Sequence, residues 1–178
     1  MSNMKRVILH WTAGTHKANS VDLAAYHFVV EGDGTVIKGK FPVSANALGV
    51  PLVAGKYAAH TASANGGAIG VSLAAMHGAT ESPFNPGKYP ITTAQVAAMT
   101  KLVADLCAQY NIPVTRSTVL THAEVQGTLG IKQKNKWDIV WLPGYGKRSA
   151  TEIGDIIRGM VDSYRAVKVV PQKALDLQ

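Results

Sequence analysis

Tyr26-His27-Phe28-Val29-Val30-Glu31-Gly32-Asp33-Gly34-Thr35-Val36-Ile37-Lys38 sets two β-prone runs on either side of a glycine-rich link. Branched and aromatic side chains suit a pleated, half-buried surface, and a short Gly/Asp link lets the chain reverse. The segment therefore reads as a hairpin with strands over 26–31 and 35–38, opened by Tyr26. Upstream, Val7, Ile8 and Leu9 form a short apolar run within residues 6–12 that stops at Ala13-Gly14. That pattern predicts a buried strand with His10 at its end. Downstream, residues 69–75 give a further strand after the loop 63–67, and 119–121 give a short one just before His122.

Two amphipathic helices are expected to pack against these strands. Thr92 and Gln95 have the spacing of a capping box, and Val96, Met99, Leu102, Val103, Leu106 and Tyr110 follow at near-helical intervals. Ser149 and Glu152 repeat that spacing ahead of Ile153, Ile156, Ile157, Met160, Val161 and Tyr164. The order of elements predicts an α/β fold, a central mixed β-sheet flanked by α-helices. With 178 residues, 47% hydrophobic and 16% charged, the chain suits one well-filled core. The reading is a single domain over 1–166 and a C-terminal tail over 167–178, where the periodicity fades around Pro171.

Lys and Arg number 18 against 11 Asp and Glu, a formal charge of +7. Such an excess either keeps a protein soluble or draws it toward a polyanion: nucleic acid, anionic lipid or bacterial wall polymer. No nucleic-acid-binding motif or dense basic helix accompanies it, so nucleic acid is not an expected partner. No apolar run approaches the roughly 20 residues that span a bilayer, and the first residues lack the apolar stretch of a secretory signal. Stable membrane insertion is not expected. The single cysteine, Cys107, excludes an internal disulfide and lies beside the apolar stripe of the first helix. It reads as a core residue in a chain suited to a reducing cytoplasm.

Chemistry concentrates in a few residues. His10 ends a strand, His122 follows one, and Asp138 lies sixteen positions later in a loop. Two neutral imidazoles and a carboxylate suit Zn²⁺, with the fourth tetrahedral position left for water. Read singly, each residue also has an ordinary role: His10 as a hydrogen-bonded strand-end histidine, Tyr26 as a strand aromatic, Lys136 as a solvated lysine beside Lys132 and Lys134. His27 should face away from Tyr26 because strand side chains alternate, and it reads as structural or as a support behind a site residue rather than a ligand. Trp11, Trp137 and Trp141 adjoin these positions, where they would either wall a groove or simply pack. His16 and His77 have no supporting context.

The order of the motifs is the stronger signal. His10-Trp11-Thr12, Tyr26-His27-Phe28-Val29-Val30 with Gly32-Asp33-Gly34-Thr35-Val36, His60, Ile69-Gly70-Val71, His122 and Lys136-Trp137-Asp138 follow one another across nearly the whole domain. This series resembles the zinc-dependent N-acetylmuramoyl-L-alanine amidases, the type 2 amidase family that also includes phage lysozymes and peptidoglycan recognition proteins. The resemblance implies that His10, His122 and Asp138 ligate Zn²⁺ and that Tyr26 and Lys136 are catalytic partners. It implies cleavage of peptidoglycan between N-acetylmuramic acid and L-alanine, and it matches His60 to a histidine that lines the groove or lies at the surface. One departure follows Asp138, where Ile139-Val140-Trp141-Leu142-Pro143-Gly144 replaces the immediate proline and glycine common in relatives.

The expected role is that of a monomeric phage endolysin, held in the host cytoplasm until a holin-type lesion admits it to the wall. The alternatives are a non-catalytic peptidoglycan-binding module, which a missing ligand would indicate, and a bacterial cytoplasmic amidase that recycles muropeptides.

Overall fold

The structure, a computed structural model, describes residues 3–169. Five strands form one mixed sheet in the order β3-β2-β4-β1-β5. They are β1 (Arg6–Trp11), β2 (Phe28–Val30), β3 (Val36–Lys38), β4 (Ala68–Leu73) and β5 (Val119–Thr121). All neighbours run parallel except the β2–β3 hairpin. Four helices accompany the sheet: α1 (Ser20–Ala25), α2 (Thr93–Tyr110), α3 (His122–Leu129) and α4 (Ala150–Val169). A small ribbon of β6 (Trp141–Leu142) and β7 (Gly146–Lys147) precedes α4.

The expected α/β architecture is therefore present, and two boundaries shift. Tyr26 does not open the hairpin; it caps the C-terminus of α1, and the first hairpin strand begins two residues later. Helix α4 runs on to Val169, past the expected domain end at 166, and residues 170–178 lie outside the described residues. No helix of the described residues is long and apolar enough to cross a membrane.

Strand periodicity divides the sheet into two unlike faces. Val7, Leu9, Ile69, Val71, Leu73 and Val119 point to one, where α2 and α4 cover them with Met99, Val103, Ile153, Ile157 and Val161. Cys107 is buried in this cluster, as its place on α2 requires. The other face carries a smaller apolar group, Ile8, Ala68, Leu120 and Val125, and gives the remaining positions to polar side chains. His10 on β1 pairs with Ser72 on β4, so both project from this second face.

Polar groups on that face are tied to the loops above it. Asn46, fully buried, donates to the carbonyls of Ala58 and Asn65 and accepts from the Ala58 amide. The same side-chain oxygen accepts from His27 Nε2 at 3.0 Å, while His27 Nδ1 accepts from the Gly70 amide. His27 is therefore held neutral, and burial lowers its pKa from 6.5 to about 4.

A buried ion pair fixes α3 against α4. Arg158 makes two hydrogen bonds to the Glu124 carboxylate, 2.8 and 3.1 Å, and one to the Val119 carbonyl. Glu124 also accepts from the Thr121 amide, closing the capping box that starts α3 at His122. Gly154 on α4 lies against the Glu124 carboxylate, and a Cβ there would collide with it.

Two outcomes follow from these contacts. Arg158→Met leaves the Glu124 charge buried without its partner and should cost about 3–5 kcal/mol in urea unfolding; a loss under about 1 kcal/mol would contradict the assignment. The unfolded chain takes up a proton at its histidines near pH 6.5, whereas folded His27 resists until about pH 4. Stability should thus be unaffected above pH 7 and fall between about 6.5 and 4, by on the order of 3 kcal/mol from this group. With chelator present, His27→Gln should reduce the pH slope of the unfolding free energy by about one proton, and an unchanged slope would contradict this.

Candidate metal centre

Each of the three residues expected to bind metal is delivered by a different element. His10 is the penultimate residue of β1, the strand bordered on both sides by parallel neighbours. His122 is the first residue of α3, immediately after β5, which is the strand next to β1. Asp138 follows α3 in a loop, where its carbonyl accepts from the Ala123 amide and the next residues, Ile139 and Val140, are buried in the main core. The residues after Asp138 thus anchor the loop by burial. All three residues are buried, at 1%, 5% and 7% exposure.

Their ligand atoms meet at one point. His10 Nδ1 lies 3.0 Å from His122 Nδ1 and 3.2 Å from Asp138 Oδ2, and His122 Nδ1 lies 3.5 Å from the same oxygen. Donor atoms about 2.0–2.1 Å from a tetrahedral Zn²⁺ stand about 3.3 Å apart, which these separations bracket. Among the described residues this is the one group of three His, Cys, Asp or Glu side chains so placed.

Hydrogen bonds on the far sides of the rings set the tautomers. The Gln133 amide donates to the Ala62 carbonyl, so its oxygen faces His122 Nε2 at 2.9 Å and can only accept. His122 therefore carries its proton on Nε2 and presents a lone pair at Nδ1. His60 Nε2 faces the Ala68 carbonyl at 3.2 Å, which likewise fixes its proton there. His60 Nδ1 is then an acceptor, 3.3 Å from His10 Nε2 and 2.8 Å from the Thr61 hydroxyl. His10 is left with its own lone pair on Nδ1, toward Asp138. Partners of this kind orient ligating histidines in metal sites.

Burial lowers the His10 pKa, outweighing the Asp138 charge beside it, and lowers that of His60 well below the ordinary histidine value. The set is two imidazole nitrogens turned toward one carboxylate oxygen, a donor combination that fits Zn²⁺.

Tyr26 stands over His10 with ring centroids 5.1 Å apart. Burial pushes its phenol up to about 12, aided by the Asp138 charge and partly opposed by the Ser72 hydroxyl. Lys136 is exposed and lines a cleft of about 470 Å³ with His60, His122, Gln133, Lys134 and Tyr57. His60 is buried and its ring occupies the space over Gly70, where a Cβ would come within 2.5 Å of it. Trp11 is buried and packs edge-on against Trp137, 4.8 Å between centroids, while Trp137 and Trp141 contact Phe84. Trp11 is therefore packing rather than groove wall. His16, bonded to the Pro90 carbonyl, and His77, against Tyr89, take no part in the cluster.

The geometry also involves residues that the sequence reading passed over. Glu124 was readable from its capping-box spacing to Thr121, the same signature that marks α2. Gln133 and Ser72 gave no local signal.

The family model for N-acetylmuramoyl-L-alanine amidase matches residues 1–144. Comparison with curated proteins gives no match. Among solved structures, a point mutant of PlyL is similar at TM-score 0.53 and 20% identity, over 91% of this chain and 87% of that one. The Ph2119 endolysin from a Thermus scotoductus bacteriophage is similar at TM-score 0.50 and 14% identity, over 90% and 86%. AmiD from E. coli aligns at TM-score 0.48 and 20% identity, and this chain spans 49% of its length while 68% of this chain is covered. A match that takes in the strand bearing His10, the helix starting at His122 and the loop of Asp138 makes this chain a member of the N-acetylmuramoyl-L-alanine amidase family.

Proposed function

We propose that the protein is a zinc-dependent amidase that hydrolyses peptidoglycan between the N-acetylmuramoyl lactyl group and L-alanine. The observation that carries this reading is the convergence of His10, His122 and Asp138 donor atoms within 3.5 Å of one another in a chain of this family. A complete donor set favours catalysis over a binding module that has lost its ligands. These three residues would hold the ion, which when bound supplies a Lewis acid for the amide carbonyl and lowers the pKa of water to roughly 7.

The chain's own groups account for the rest of the chemistry. Hydrolysis adds a hydroxyl to the lactyl carbonyl carbon and a proton to the departing L-alanine nitrogen. With its pKa near 12, Tyr26 is a neutral phenol at physiological pH, so it acts as a hydrogen-bond donor to the oxygen on which charge develops, not as a phenolate base. Lys136 places positive charge at the mouth of the cleft, toward the same developing anion. His60 and Gln133 keep the Nδ1 lone pairs of His10 and His122 directed inward.

We further infer a lytic role as a phage endolysin, acting as a monomer. Its single cysteine is buried and unpaired, so folding needs no oxidising compartment and the protein can accumulate in the host cytoplasm. Its +7 charge favours anionic wall polymers once a membrane lesion admits it. Lysis on expression only when the membrane is permeabilised supports this role, and activity on soluble muropeptides but not intact sacculi would point to recycling instead.

Purified protein is expected to generate new L-alanine amino termini from peptidoglycan with no new reducing sugar ends. The activity should vanish with a zinc chelator, return with Zn²⁺ and be abolished together with metal content in His10→Ala; cleavage that survives metal removal contradicts the proposal. Gln133→Ala removes the acceptor that fixes the His122 tautomer and should weaken Zn²⁺ binding about 10–100-fold in a competition assay, whereas an unchanged affinity would show that the tautomer is set elsewhere.

A further inference from the structure

Every buried side-chain nitrogen and oxygen of the described residues has a hydrogen-bond partner except one, the Ser72 hydroxyl. Ser72 is 0% exposed, the penultimate residue of β4. A buried hydroxyl without a partner destabilises the folded chain, so a residue lacking it would serve better at a purely structural position. Its place makes the exception informative. Ser72 is in register with His10, and adjacent strands lie about 4.8 Å apart, so its side chain stands beside the His10 imidazole. Tyr26 flanks that imidazole as well, at 5.1 Å between rings. The serine hydroxyl and the phenol thus border the same imidazole, yet no hydrogen bond of ordinary geometry joins them here.

We propose that Ser72 is a positioning residue for Tyr26, its hydroxyl donating to the phenolic oxygen when Tyr26 turns its own proton toward the substrate carbonyl. The proposal rests on the reading of the chain as an amidase with Tyr26 as donor. As a phenol donates a hydrogen bond to a developing oxyanion, electron density rises on the phenolic oxygen, and a second donor against that oxygen strengthens the bond. A hydrogen bond completed only at that stage raises kcat and leaves substrate binding alone. Ser72 has nothing else to donate to, so its proton is available without breaking another contact.

The test is a cycle of Ser72→Ala, Tyr26→Phe and the double variant in the zinc-loaded enzyme, with melting of the metal-free proteins measured in parallel. Ser72→Ala should keep or raise the melting temperature, lower kcat about tenfold with KM within about twofold, and change kcat less than twofold in the Tyr26→Phe background. Ser72→Cys, which fills the same space with a weaker donor, should also lose kcat. A lowered melting temperature with kcat unchanged, full activity in Ser72→Cys, or the same tenfold loss when Tyr26 is already absent would overturn the proposal while leaving the amidase reading intact. Wild-type protein that cleaves no amide would remove both.

Discussion

Three electron-rich atoms held within 3.5 Å of one another in a protein interior repel unless positive charge sits among them. Two imidazole lone pairs and a carboxylate oxygen are so placed here, and the rest of the structure is what keeps them from moving apart. β1 holds His10 by parallel pairing with Ser72 of β4, while β5 pairs with β1 up to Leu9, the residue before it. The capping of α3 by Glu124, itself locked by Arg158, fixes where His122 begins. The Ala123 amide and the burial of Ile139 fix Asp138. A cost in desolvation and repulsion is accepted at the site because the surrounding core holds it.

The two faces of the sheet divide the labour. One face is apolar and covered by α2 and α4, giving the domain most of its hydrophobic stabilisation. The other carries a connected set of neutral histidines, with His27 bound to Asn46, His60 to Ala68 and Thr61, and His10 next to His60. Their neutrality is a consequence of burial and of acceptors placed on one ring nitrogen each. It is also what a divalent cation requires, since a protonated imidazole has no lone pair to offer.

The sequence was informative where physics is local. The Gly32-Asp33-Gly34 link marked the β2–β3 hairpin, and the Thr92/Gln95 and Ser149/Glu152 spacings marked α2 and α4, where the expected capping hydrogen bonds form. Two short helices escaped notice although both carry capping boxes, Asn19 with Asp22 and Thr121 with Glu124. α1 has only six residues and α3 contains Gly127, so neither presents a clear apolar stripe. The residues of the candidate metal site were legible through the order of motifs, not through spacing, because 112 residues separate His10 from His122 and the β1–β5 pairing brings them together. Gln133, Ser72 and the buried state of His60 depend on tertiary contacts across the sheet. No local pattern encodes them.

X-ray absorption at the zinc edge of the purified, zinc-loaded protein tests the central claim most directly. The account predicts one tightly bound ion per chain with two imidazoles and light oxygen scatterers at about 2.0–2.1 Å, and loss of that ion in His122→Ala as in His10→Ala. An ion with sulfur ligands, no imidazole contribution, or a spectrum unchanged in that variant would contradict it.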